Sequence, residues 1–452
     1  MSHGPRWRAD ILDLAHLAWP VIINRLGVMM LGVVDTIMVG RYAAEHLAYF
    51  GLGLVISNII ILVKVGLLIG VQVLVAQYFG ARQHSSCGQV WWRSLPYAVG
   101  LGLVGFAVCA FAEPILIFFG QDSDLAREAG KISFINGLSL PILALYMATS
   151  MFLEGIRRVR PAMIIVIIAN IINVFANYSL VYGAFGMPEF GAVGSVWASL
   201  FVRSIQLITI FTYVWFMFDH ARYGVRKPPK RSFAAGTEMR QIGYMAGISM
   251  GIENLSFNAL TVFAGLLGAL ALASHVITIN VFGLGFMFGL GFGAATSVRV
   301  GNAHGAGHND AAMRAGWLGL GVQTVAMIFI TALFIGYSDQ IASFYSKDAD
   351  VIALASLMIK YMSLILIIDC AQMLLAQAVR ARGDGMTPMV IYVICYGVIM
   401  LPLTYFMAFT MGRGVFGLID ATFIATVMSM LLVGITFART RHIFRDLKPR
   451  EA

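Results

Sequence analysis

Long apolar runs follow one another along nearly the whole chain, near 17–40, 47–79, 89–112, 131–154, 162–183 and 191–218, and again near 241–268, 273–303, 315–336, 351–379, 388–411 and 415–438. A helix that crosses a bilayer needs about 20 mostly apolar residues. The runs therefore predict an all-α integral membrane protein with twelve transmembrane helices, several long enough to tilt or protrude. Composition matters here for one reason: 59% of the 452 residues are apolar and 12% are charged, about half the charge of ordinary soluble domains. One water-facing globule cannot hide that many apolar side chains, so lipid must take them. The 47 glycines suit helices that approach closely or bend.

The formal charge of +9 is spread over short segments between the runs and forms no single basic face, so no nucleic-acid partner is expected. Cys87, Cys109, Cys370 and Cys395 are widely spaced, with no CxxC, and suggest neither a disulfide framework nor a zinc cluster. His304 and His308 have metal-like i, i+4 spacing but lack a third ligand. The start, "MSHGPRWRADILDLAHLAWP", has no cleavable hydrophobic segment and reads as an amphipathic lead-in to the first span.

The long polar stretch "DHARYGVRKPPKRSFAAGTEMR" carries Pro228, Pro229 and six Lys/Arg and reads as a cytoplasmic linker. This divides the chain into an N-terminal lobe (1–218, six spans), the linker (219–240), a C-terminal lobe (241–438, six spans) and a cytoplasmic basic tail (439–452). Within and beside the connections, 22 Lys/Arg lie on the side that takes both termini and six on the other. Positive charge is retained on the cytoplasmic side, so both termini are expected there.

The halves echo each other. "VAQYFGARQ" (75–83) aligns with "VGNAHGAGH" (300–308), "FFGQDSDLA" (118–126) with "FYSKDADVI" (344–352), and "GAVGSVWAS" (191–199) with "GVFGLIDAT" (414–422). The offsets of 225, 226 and 223 stay nearly constant over five helices, the mark of a duplication. Six spans return the chain to its starting side, so the repeats are expected to form parallel lobes related by a pseudo-two-fold along the membrane normal. A solute path is expected between them.

On these residues the chain resembles the multidrug and toxic compound extrusion (MATE) family, in its NorM-type branch. The resemblance rests on "WPVI" and "GVVDTIMVG" in the first span, "VLVAQYFGAR", "NVFANYSLVYGAFGMPEFGAVG" and, most specifically, "SHVITINVFGLGFMFGLGFGAATSVRVGNAHGAG". It implies twelve helices in two lobes and an antiporter that exports small cationic, amphipathic compounds against an inward flow of Na+ or H+. It implies no other cofactor and no enzyme activity. Membrane lipid, the amphipathic substrates and a monovalent cation or proton are the expected partners, with the monomer as the working unit.

Charges within spans carry the mechanism in this reading. An ionisable group in hydrocarbon costs at least ~2.5–3.5 kcal/mol, so such groups face a protein interior or a wet cavity. Asp35, Glu253 and Asp369 lie in the first, seventh and tenth spans, the last two deep and Asp35 either near its helix end or facing something other than lipid. All three match acidic positions of the family, which implies ion coupling. Asn170, Asn173 and Asn177 recur at i, i+3, i+7, so they share a helical face. They serve either as helix–helix hydrogen bonders or as amide-oxygen ligands beside a carboxylate for a hard cation. The resemblance puts Asn173, Asn177 and Ser199 near Asp35 and implies Na+ at Asp35, Asn173 and Asn177; no other metal is expected.

Asn254 beside Glu253, Gln372 one turn from Asp369, and Asn280 are further candidates to line the path or tune the carboxylates. Arg25, the repeat partner of Glu253, and Lys64 depart from the family pattern. Each is either snorkelling or paired within the structure, or a fixed positive charge lining the path that repels cationic solutes, favours anionic or zwitterionic ones, or depresses the pKa of a nearby acid. The alternatives to cation-coupled export are a lipid-linked precursor flippase of the same superfamily and a passive channel. No HExxH and no nucleotide-binding GK[ST] is present.

Overall fold

The structure is a computed structural model and describes residues 7–217, 220–229 and 232–439. The basic tail from 440 onward, part of the expected linker and the first six residues lie outside the described residues. Among the described residues there is no strand. The long helices are α1 (Trp7–Tyr42), α2 (Ala44–Gly80), α3 (His84–Ala110), α4 (Ser123–Gly155), α5 (Arg160–Tyr182) and α6 (Gly191–Phe216). The second half supplies α7 (Thr237–Leu266), α8 (Ala269–Gly305), α9 (Asn309–Gly336), α10 (Ala349–Ala381), α11 (Met386–Thr410) and α12 (Val415–Arg439). Eleven of them are long and apolar enough to cross a membrane. The exception, α7, has the length (30 residues), but Glu253, Asn254 and Asn258 dilute its apolar stretch. This is a multi-pass membrane protein.

The helices are inside-out relative to soluble ones. On α5, Ile164, Ile168, Ile171 and Phe175 form an i, i+4, i+7, i+11 stripe that is at least half exposed, while Asn173 and Asn177 on the other face are fully buried. Apolar atoms gain little by leaving lipid, so close packing and polar contacts hold such helices together. Small residues make the packing possible. A Cβ on Gly102 of α3 would sit 2.3 Å from the Pro141 backbone of α4, and one on Gly289 of α8 would sit 2.3 Å from the Cys370 sulfur of α10.

The described residues divide into two compact units: 23–243, and 7–22 together with 244–439. In the first, α4 is the hub, packed against α2, α3 and α6; in the second, α10 is the hub, packed against α8, α9 and α12. These hubs occupy equivalent repeat positions, and their starts match. Asp122 accepts hydrogen bonds from the Asp124 and Leu125 amides, as Asp348 does from those of Asp350 and Val351. Both are N-caps, satisfying amides that the first helical turn leaves free. The ends match too. Left-handed backbone follows α2 at Arg82 (φ 60°) and α4 at Arg157 (φ 64°), and follows α8 at Gly307 (φ 77°) and α10 at Gly383 (φ 98°).

The division between units falls inside helices. Residues 7–22 of α1 belong with the second half, where Arg299 of α8 bonds Asp10 at 2.8 Å and lies 3.4 Å from Asp13. A Cβ on Gly291 would meet Ile22 there at 2.3 Å. Conversely, residues 237–243 of α7 belong with the first half, where a Cβ on Gly70 would lie 2.0 Å from the Met239 carbonyl.

Candidate functional site

Asp35 sits on α1 where α5 and α6 pack against it. The approach of α1 to α5 is set by Gly27, where a Cβ would lie 2.8 Å from Val166, and by Asn170, which donates to the Gly27 carbonyl at 2.9 Å. Asn170 is therefore a tie between helices and does not touch Asp35. One and two turns further along α5, Asn173 and Asn177 donate their amide hydrogens to Asp35 Oδ1 at 3.0 and 2.7 Å. From α6, Ser199 donates to Oδ2 at 2.5 Å. All four side chains are buried. The two asparagine Oδ1 atoms are buried without a hydrogen-bond partner. An unpaired buried amide oxygen costs about 1–3 kcal/mol, so these oxygens want a donor or a cation. Turning either amide end for end would bring oxygen toward the carboxylate. The donor set is then all oxygen, the kind a hard cation prefers.

Beyond this cluster lies a second span cation besides Lys64, Arg203, to which the sequence reading gave no role. Arg203, one turn along α6 from Ser199, donates to Asn136 at 2.9 Å and to Ser139 on α4. Asn136 in turn donates to Ser57 at 2.7 Å. Lys64 lies on α2, and its ammonium reaches the Leu140 carbonyl of α4 at 3.2 Å, with 2% of the residue exposed. It is enclosed between helices and faces no open path in this unit.

Arg25 has a carboxylate partner. It pairs with Glu154 at the end of α4 at 3.1 Å, and Gln72 and Ser150 also donate to Glu154, at 2.9 and 3.3 Å. Asn24 donates to Ser150, and the Tyr146 hydroxyl donates to Asn24, at 3.2 and 3.1 Å. Glu154 is 1% exposed. Of the two readings of Arg25, paired residue or free positive charge, this geometry is the first.

The second unit brings Glu253, Asp369 and Gln372 together. Gln372 on α10 donates to Glu253 of α7 at 3.3 Å, to Asp369 at 3.2 Å and to Tyr396 at 2.8 Å, while Ser429 of α12 donates to the Gln372 oxygen at 2.5 Å. Tyr396 donates to Asp369 Oδ1 at 3.1 Å and lies 3.3 Å from the Thr426 hydroxyl. Asp369 Oδ2 is buried with no partner. Two carboxylates thus share one amide. Tyr396 lies in a π-helical stretch of α11, Val393–Met400, whose Tyr396 carbonyl accepts from Ser256 of α7 at 3.0 Å. Such widened turns occur often at functional sites because they re-aim side chains. Asn254 and Asn280 do not join the cluster: Asn254 accepts from Asn258, and exposed Asn280 donates to the Val276 carbonyl of its own helix.

The MatE family profile matches residues 20–179 and 246–406, one match in each half. The chain belongs to the MatE family, in its NorM-type branch. Among its relatives is the "Probable multidrug resistance protein NorM" of Caulobacter vibrioides, 34% identical over 441 residues, covering 97% of this chain and 93% of the relative. The protein of the same name from Burkholderia pseudomallei is 30% identical over 413 residues, covering 90% and 88%. Among solved structures, the eukaryotic MATE transporter AtDTX14 superposes with a TM-score of 0.88 at 20% identity, over 96% of this chain and 98% of that one.

Proposed function

We propose that this protein is a cation-coupled antiporter that exports small amphipathic, predominantly cationic compounds from a bacterial cell across the inner membrane, with both termini cytoplasmic. The supporting observation is that each half buries its own carboxylate cluster: Asp35 among three donors in one, Glu253 and Asp369 around a shared glutamine in the other. A buried carboxylate is costly to keep charged and cheap to satisfy with a proton or cation, so its occupancy can bias a conformational equilibrium. Ion and substrate then drive each other if they favour opposite conformers, and not otherwise. Asp35, Asn173, Asn177 and Ser199 would hold Na+, or Asp35 a proton. The names of the relatives in Caulobacter and Burkholderia support drug-like substrates. Cationic specificity is compatible with the paired state of Arg25 and the enclosure of Lys64, since neither offers a free positive charge to a solute in its own unit.

The test is transport of a cationic dye in proteoliposomes under separately imposed Na+ and pH gradients. Asp35→Asn, Glu253→Gln and Asp369→Asn are expected to lose most gradient-driven export while still binding dye. Full export by all three variants would overturn the assignment, and flux that ignores both gradients would favour a passive channel.

A further inference from the structure

Along the outer side of α3 runs a groove of about 1100 Å³, walled by α3 and by the segment that leads into α7. Its lining is graded. At one end are Arg93, Arg240 and Trp92; further along α3 come Leu101 and Val104, with exposed Phe233 as an aromatic flap. Among the described residues, two arginines and no carboxylate line it. Trp92 fixes the opposite wall by donating to the Val225 carbonyl at 2.7 Å. Arg93 donates to the Ala235 carbonyl at 3.5 Å. The Arg240 guanidinium lies 3.6 Å over the Phe233 ring and donates to the Phe233 carbonyl and Thr237 hydroxyl. A Cβ on Gly236 would come within 2.8 Å of that guanidinium, so glycine there makes room for it.

We propose that this groove binds one anionic phospholipid of the cytoplasmic leaflet, with its phosphate at Arg93 and Arg240 and an acyl chain along Leu101 and Val104. Three features fit that occupant. The charge sits at the end of α3 that the Lys/Arg asymmetry assigns to the cytoplasmic surface, where anionic headgroups lie; the proposal rests on that orientation and not on any transport activity. From residue 92 to 104 the helix rises about 18 Å at 1.5 Å per residue, against about 15 Å for one leaflet's half of the hydrocarbon core. Trp92 and Tyr97 supply the amphipathic rings that favour the interface. Arginine is also suited to phosphate because its planar fork can donate two parallel hydrogen bonds.

The experiment is native mass spectrometry of the full-length protein in detergent, mixed with equimolar phosphatidylglycerol and phosphatidylcholine of identical acyl chains. At about fivefold per basic residue, two arginines predict retention of the anionic lipid roughly 25-fold over the zwitterionic one. Arg93→Gln is expected to cut that preference about fivefold. Gly100→Leu fills the groove where a Cβ meets nothing within 4 Å, so it is expected to keep the thermal unfolding temperature yet displace both lipids. Equal retention of the two lipids by the wild type, or wild-type preference in both variants, overturns the proposal.

Discussion

At the scale of single residues, the buried ions have unequal standing. Glu154 is enclosed and its charge is balanced by Arg25. Removing one member of such a pair leaves the other charge stranded, at a cost of about 3–5 kcal/mol, whereas replacing both by neutral residues is often tolerated. Arg25→Gln is therefore expected to lower the unfolding temperature markedly, and Arg25→Gln with Glu154→Gln to recover most of the loss. Equal destabilisation in the two would show that the pair is not what Arg25 contributes. Helical spacing puts Asn170, Asn173 and Asn177 on one face, but it does not say what that face meets; the family resemblance, not the spacing, places Asn173, Asn177 and Ser199 near Asp35. Glu154 was not legible: at the edge of an apolar run a carboxylate looks interfacial, and its partner is 129 residues away. Arg203 carried a signal that went unused, being one turn from Ser199.

At the scale of elements, the existence and order of the helices follow from runs of apolar residues, because lipid leaves the backbone little other choice. What sequence patterns do not convey is the widened turn of α11. A tyrosine in an apolar run reads as core, and only the π-helical geometry of Val393–Met400 accompanies its turn toward Asp369. Part of the weaker apolarity of α7 has the same root, since Glu253 and Ser256, which meet α10 and α11, are polar. Helix ends offer a test of the duplication. Left-handed backbone at a residue with a Cβ costs about 1–2 kcal/mol relative to glycine, and exposed Arg82 adopts it where the repeat has Gly307. Arg82→Gly is expected to raise thermal stability by about 1 kcal/mol and Gly307→Ala to lower it, both read from unfolding in detergent. A fall with Arg82→Gly would mean that the arginine makes a compensating contact.

At the scale of the whole molecule, the compact units do not coincide with consecutive halves of the chain, because α1 and α7 each begin in one unit and continue in the other. Residues 230–452 expressed alone would lack the stretch that supplies Asp10 and Asp13 to Arg299 and Ile22 to Gly291. That fragment is expected to yield little monodisperse protein by size-exclusion chromatography, and coexpression with residues 1–229 to restore it. Equal yields with and without the companion fragment would mean that residues 7–22 are dispensable to the unit they join.

The same trading of leading arms bears on how a protein like this could arise from a shorter one. A half-length chain built on either repeat would carry an arm with no dock and a dock with no arm, and both wants are met at once when two copies associate. Joining two such genes head to tail would keep each arm seated while freeing the copies to diverge, one toward a lone acid among amides, the other toward a pair of acids around a glutamine.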